Sequence, residues 1–293
     1  MSLLQMLPLG SAAPAPTASK SIAISHSGSP YISVYPWSSG FGTKYADPSI
    51  AIPGVGEGVA FSPSGNDIAI AHTGAPNVSV YPWSSGFGTK YANPSVAIPD
   101  QGMSVAFSPS GNAIAIAHYG APFVSVYPWS SGFGTKYANP STALSNAGQG
   151  VAFSPSGNDI AIAHVATPFI SVYPWSSGFG TKYANPSTAV AFHGYGVAFS
   201  PSGNAIAIAH FGAPNVSVYP WSSGFGTKYA DPSTAIPTTA GGVAFSPSGN
   251  DIAITHGGGS FISVYPWSSG FGTKYANPSI PIPFNARGVA FSP

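Results

Sequence analysis

Between residues 58 and 99 the chain alternates apolar and polar positions in short runs separated by turn residues. In GVAFSP (58 to 63), Val59 and Phe61 face one way and Ala60 the other, and the run stops at the turn sequence Pro63-Ser64-Gly65-Asn66. DIAIAH (67 to 72) places Ile68, Ile70 and His72 on one face and Ala69 and Ala71 on the other. NVSVYPW (77 to 83) sets Val78 and Val80 against Ser79 and Tyr81, and Pro82 ends regular pairing. After the turn Ser84-Ser85-Gly86-Phe87-Gly88, the segment 89 to 99 reads as a fourth strand, confined to an edge by its two prolines. Helical periodicity is absent throughout.

The pattern recurs at a step of 46 residues, marked by Trp37, Trp83, Trp129, Trp175, Trp221 and Trp267. Four short strands per unit predict an all-β chain, a six-bladed β-propeller with four antiparallel strands per blade. The isoleucine face of one second strand can fill the alanine face of the next, so that both faces are buried by neighbouring blades. The first unit opens on a second strand, SIAISH (21 to 26), and GVAFSP (288 to 293) is a first strand with nothing after it. The C-terminal strand is therefore expected to pair with the N-terminal blade and close the ring. Residues 18 to 293 form the propeller, and residues 1 to 17 form an apolar arm carrying Leu3, Leu4, Met6, Leu7 and Leu9. Such an arm suits docking on a partner better than free solvent.

Composition narrows the function classes. Only 5% of residues are charged and the net charge is +1, which argues against a nucleic-acid surface built on clustered Lys and Arg. The 36 Gly and 31 Pro recur in register with the repeat and so serve turns. Without cysteine there is no thiolate chemistry, and no apolar run is long enough for a membrane span.

At VAFSPSGNDIAIAH followed by VSVYPW the unit resembles the WD-repeat propellers, although Tyr-Pro-Trp stands where that family has Trp-Asp and no Gly-His pair precedes the first strand. The family's bonded set of His, Ser, Asp and Trp is not carried over whole, which leaves His72 and Trp83 as a local substitute. The longer string SPSGNDIAIAH…SVYPWSSGFGTKYANPS is similar to a repeat of tailed-bacteriophage proteins, and this similarity implies a virion or tail-associated role.

Candidate chemistry is thin. His26, His72, His118, His164, His210 and His256 lie on second strands, one strand away from any axial channel, so structural hydrogen bonds suit them better than a metal ring. Asp67, Asp159 and Asp251 give way to Ala113 and Ala205 in other units, and their position after a tight turn reads as turn chemistry. The string SVYPWSSGFGTKYA is identical in all six units, with Lys44, Lys90, Lys136, Lys182, Lys228 and Lys274 as a solvated ring. No catalytic, metal or cofactor site is expected, and the chain reads as no enzyme.

Variation gathers at one end of the ring. Loops between second and third strands carry Tyr31, Tyr119, Phe123, Phe169, Phe211 and Phe261, and loops between blades carry Phe192, His193, Tyr195, Phe284 and Arg287. Aromatics on an exposed end suit protein partners or sugar rings, although drift in unconstrained loops also produces variation. The expectation is a structural and interaction module of a phage particle. Its arm would bind other virion proteins, and its variable end a neighbouring virion protein or a host-surface protein or glycan. The alternatives are a multivalent lectin with one pocket per blade and, for location, secretion.

Overall fold

The computed structural model describes residues 20–37, 41–278 and residue 289. All regular structure in this range is β. The strands are β1 (Lys20–Ser25) and β2 (Ile32–Trp37); β3 (Gly56–Phe61), β4 (Asp67–His72) and β5 (Val78–Pro82); β6 (Gly102–Phe107), β7 (Ala113–His118) and β8 (Val124–Pro128). They continue with β9 (Gly148–Phe153), β10 (Asp159–His164) and β11 (Ile170–Pro174); β12 (Gly194–Phe199), β13 (Ala205–His210) and β14 (Val216–Pro220); β15 (Ala240–Phe245), β16 (Asp251–His256) and β17 (Ile262–Pro266). Each group pairs in sequence order as an antiparallel meander, which gives five three-stranded sheets and a two-stranded one made of β1 and β2. First strands of successive sheets contact one another, as β3 does β6 and β12 does β15. They are therefore the innermost strands of a six-bladed propeller. The expected closing strand, 288 to 293, and the arm, 1 to 17, lie outside the described residues.

The fourth strand is a correction. Residues 89 to 99 run extended but form no strand, held by Tyr91 N–H donating to Val80 O at 2.9 Å and by an isolated bridge between Trp83 and Phe87. Pro82 removes a donor from the neighbouring β5, and Pro94 and Pro99 remove two more, so too few N–H groups remain for a ladder.

Blade packing follows the alternation. Ile68 and Ile70 of β4 pack with Ile32 and Val34 of the preceding blade, while Ala69 and Ala71 receive Ile114 and Ile116 of the next. All of these side chains are fully buried. In five blades a buried tyrosine then bonds back to the segment before it. Tyr81 donates to Ile50 O at 2.8 Å, Tyr127 to Val96 O at 2.7 Å and Tyr173 to Thr142 O at 2.7 Å. Burial pushes the Tyr173 and Tyr219 phenols up to about 12.

The invariant string is the clasp between blades. Trp129 meets Phe133 of its own turn, Phe107 of its own β6 and Tyr91 of the preceding blade edge-on, with ring centroids 5.1, 5.7 and 5.2 Å away. Corresponding sets surround Trp83, Trp175, Trp221 and Trp267. Among the described residues five of the six tryptophans make this joint, and the identical string supplies its rings. Its lysines are less free than a solvated ring implies: Lys90 bonds Asn93 and Lys44 pairs with Asp47, each three residues on.

The aspartates also need correcting. Ser62 Oγ accepts the Asp67 N–H at 3.0 Å, which is the turn contact, but the Asp67 carboxylate reaches across the blade junction. It accepts Tyr91 O–H at 2.8 Å and the Trp129 indole N–H at 3.1 Å, and Asp159 does the same for Tyr183 and Trp221. Nor does the substitute pair of His72 and Trp83 form: His72 bonds Ser79, and the indoles of Trp129 and Trp221 bond to aspartate. Asp67→Ala should cost about 2 kcal/mol, since it removes two bonds to a carboxylate that is 7% exposed. Urea titration monitored by tryptophan fluorescence checks this; an unchanged midpoint would mean that the carboxylate carries no inter-blade load.

Candidate functional site

Two sets of loops share one end of the ring, as their backbone bonds record. Thr73 N–H donates to Val55 O, Tyr119 N–H to Gln101 O and Phe211 N–H to His193 O, each tying a loop between second and third strands to the linker that enters the first strand. The described sequence-predicted residues therefore lie at one end, but they do not form one ring of exposed aromatics.

Tyr31, Phe123, Phe169 and Phe261 occupy the turn position before the third strand, with φ of 71°, 71°, 67° and 61°. Asn77 and Asn215 hold the same position in two other blades, where their side-chain amides donate to Ile98 O and Ile236 O at 3.0 Å. Tyr31, Phe123 and Phe169 are half-buried against core clusters, so packing accounts for a large ring there. Tyr119 is exposed, in a blade where Phe123 turns inward. Phe284 and Arg287 lie outside the described residues.

The structure does bring four of the predicted residues together. Phe192 and Phe211 stand edge-on with centroids 6.1 Å apart, His193 lies 6.5 Å from Phe211, and Phe169 lies 5.9 Å from His193. Phe192 is 51% and Phe211 49% exposed. The cluster straddles the junction of two blades: Phe169 comes from the loop before β11, Phe192 and His193 from the linker, and Phe211 from the loop after β13. Gly212 has a φ of 83°, and a Cβ there would sit 2.3 Å from the Phe192 ring, so glycine lets the loop and the ring approach. None of the four is an acid, Lys or Arg.

Five of the repeated histidines, His72, His118, His164, His210 and His256, are fully buried, and His26 is half-buried. His72, His118, His164 and His210 place Nε2 3.0 Å from Ser79, Ser125, Ser171 and Ser217 Oγ. Desolvation lowers His72, His118 and His164 to about 4. Among the described residues no group of three or more His, Asp and Glu is placed to hold a metal ion, and no helix is long and apolar enough to cross a membrane.

No family model matches the chain, and no curated protein does. The chain is similar in structure to a candidate 6-phosphogluconolactonase from Bacteroides uniformis, with 14% identity over 88% of this chain and 82% of that one, at a TM-score of 0.64. This likeness shows the fold. It also overturns the expectation that the chain is no enzyme, because that protein of the same fold is named as one. The sequence argument rested on finding no acids, histidines and nucleophiles together outside the repeat, a test that misses groups which different blades bring together.

Proposed function

We propose that the chain is a structural and interaction module that docks one protein partner on the patch formed by Phe169, Phe192, His193 and Phe211. The observation that carries this reading is the meeting of two half-exposed phenylalanines at one blade junction, whereas the other described loop aromatics are packed inward or isolated. A lectin with six equivalent pockets would want the same exposed group at each junction, and among the described residues the patch exists at one. The similarity of the repeat to tailed-bacteriophage proteins supplies the setting: a virion component whose partner is a neighbouring virion protein or a host-surface protein.

A displayed library of linear peptides, selected on the full chain, tests the reading. Selected peptides should lose about tenfold or more in affinity on Phe192→Ser/Phe211→Ser, keep it when the six repeated lysines are replaced, and vary little with salt. Peptides that favour the lysine end, or binding only on a glycan array, would sink the proposal.

A further inference from the structure

The joint between blades alternates at one position. The first residue of the second strand is Asp67, Ala113, Asp159, Ala205 and Asp251 in five successive blades. The backbone there does not change with the side chain. Asp67, Ala113, Asp159 and Ala205 each donate their N–H to a serine Oγ at 3.0 Å, and each pairs with the proline that ends the third strand. Nor do the rings around the position change. Tyr137 meets Trp175 with centroids 5.1 Å apart at 90°, and Tyr229 meets Trp267 at 5.2 Å and 89°, against 5.2 Å and 88° for Tyr91 and Trp129 at the Asp67 joint.

Two donors that meet a carboxylate at one joint therefore meet a methyl group at the next. Trp129 N–H and Tyr91 O–H donate to Asp67, whereas Ala113 offers Trp175 and Tyr137 no acceptor, and Ala205 offers Trp267 and Tyr229 none. The preceding asparagines do not replace it. Asn112 Oδ1 accepts from Ser108 and Ser110, and Asn204 Oδ1 from Ser200 and Ser202. Among the described residues no other hydrogen bond reaches the Trp175 or Trp267 indole. Trp175 is 5% and Trp267 6% exposed, and a donor this buried calls for an acceptor. The surroundings hold a negative charge without a cation: Asp67 and Asp159 rest on neutral donors, and neither is in an ion pair among the described residues.

We propose that the Ala113 and Ala205 joints each bind a small carboxylate, of which formate is the simplest, on the paired Trp and Tyr donors. Alanine and formate together carry the side-chain heavy atoms of aspartate, so the ion completes the joint that Asp67 makes covalently. A carboxylate presents acceptors only, one oxygen to each donor. A water between the same donors must find acceptors for its own hydrogens, and alanine supplies none. Both sites lie where the second strands begin, the opposite end from Phe211, which follows the end of β13, so they do not depend on the docking patch.

Indole N–H resonances of the full chain, labelled with nitrogen-15 in its tryptophans and assigned by single Trp→Phe variants, provide the test. Sodium formate, titrated against sodium chloride at neutral pH, should move the Trp175 and Trp267 signals saturably and leave Trp129 and Trp221 in place, while chloride moves none of them. The melting temperature should rise with formate concentration. Ala113→Asp should abolish the Trp175 response and Ala205→Asp the Trp267 response, and Asp67→Ala should make Trp129 respond. Signals that ignore formate, that move equally with chloride, or that still respond after the aspartate substitutions would overturn the proposal. If an aspartate variant fails to fold, Asp67→Ala decides: a Trp129 signal that follows formate supports the site, and one that stays overturns it.

Discussion

Lowering the pH from 7 to 5 should destabilise this protein by about 5 kcal/mol through three histidines alone. His72, His118 and His164 are fully buried and held at about 4 by desolvation, against about 6.5 in an unfolded chain. The unfolded state takes up protons as the pH falls through 6.5, while the folded state does not until about 4. The stability contributed by the neutral rings is therefore complete above about pH 6.5, falls through the window between, and is lost below about 4. Each ring accounts for somewhat under 2 kcal/mol at pH 5. His210 and His256 are lowered by burial too and add in the same direction. With seven acids in 293 residues, little else in the chain drives acid unfolding. Urea titrations at pH 7 and pH 5 measure the difference, and His118→Gln should shrink it by about one ring's share. Equal midpoints at the two pH values would mean that the buried rings gain protons in the folded state.

Alternation and the 46-residue step made the propeller legible, because period-2 patterning says which side chains face a neighbouring blade. Pro82, Pro94 and Pro99 carried the signal that the fourth segment is no ladder strand, and the tally of donors rather than the edge position decides it. Asp67 misled because one residue does two jobs: its N–H serves the turn, and its carboxylate serves the Trp and Tyr of a joint 62 and 24 residues away in sequence. Such distances are invisible to a local reading. The loop aromatics were half legible. Their shared end followed from meander topology, but whether Phe123 turns inward or Phe211 outward depends on φ at the turn and on the neighbouring linker. The bulges at Glu57, Met103 and Gln149 in the innermost strands were missed although GEGVAF, GMSVAF and GQGVAF display the signal, a changing residue next to glycine in an otherwise fixed strand.

Gly148→Ala should cost about 3 kcal/mol, because the innermost strands begin against the carbonyl of the preceding blade's loop. A Cβ on Gly148 would lie 2.3 Å from Phe123 O, and Gly56, Gly102 and Gly194 meet Tyr31 O, Asn77 O and Phe169 O at 2.2, 2.1 and 2.4 Å. Both partners are backbone, fixed by bonds such as His118 N–H to Phe123 O at 3.1 Å, so neither can yield as a side-chain end would. β15 starts on Ala240, which is fully buried, and the loop it faces is the one with Gly212 at a φ of 83°; the equivalent residues in the other described loops lack a positive φ. The exception thus coincides with a rearranged loop, the same one that turns Phe211 out toward Phe192. Gly28→Ala is the control, since a Cβ there meets nothing within 4 Å, and it should stay within about 0.5 kcal/mol of wild type. Thermal melts of the two variants decide the matter. If Gly148→Ala melts with the control, the close approach of loop and strand contributes nothing to the ring.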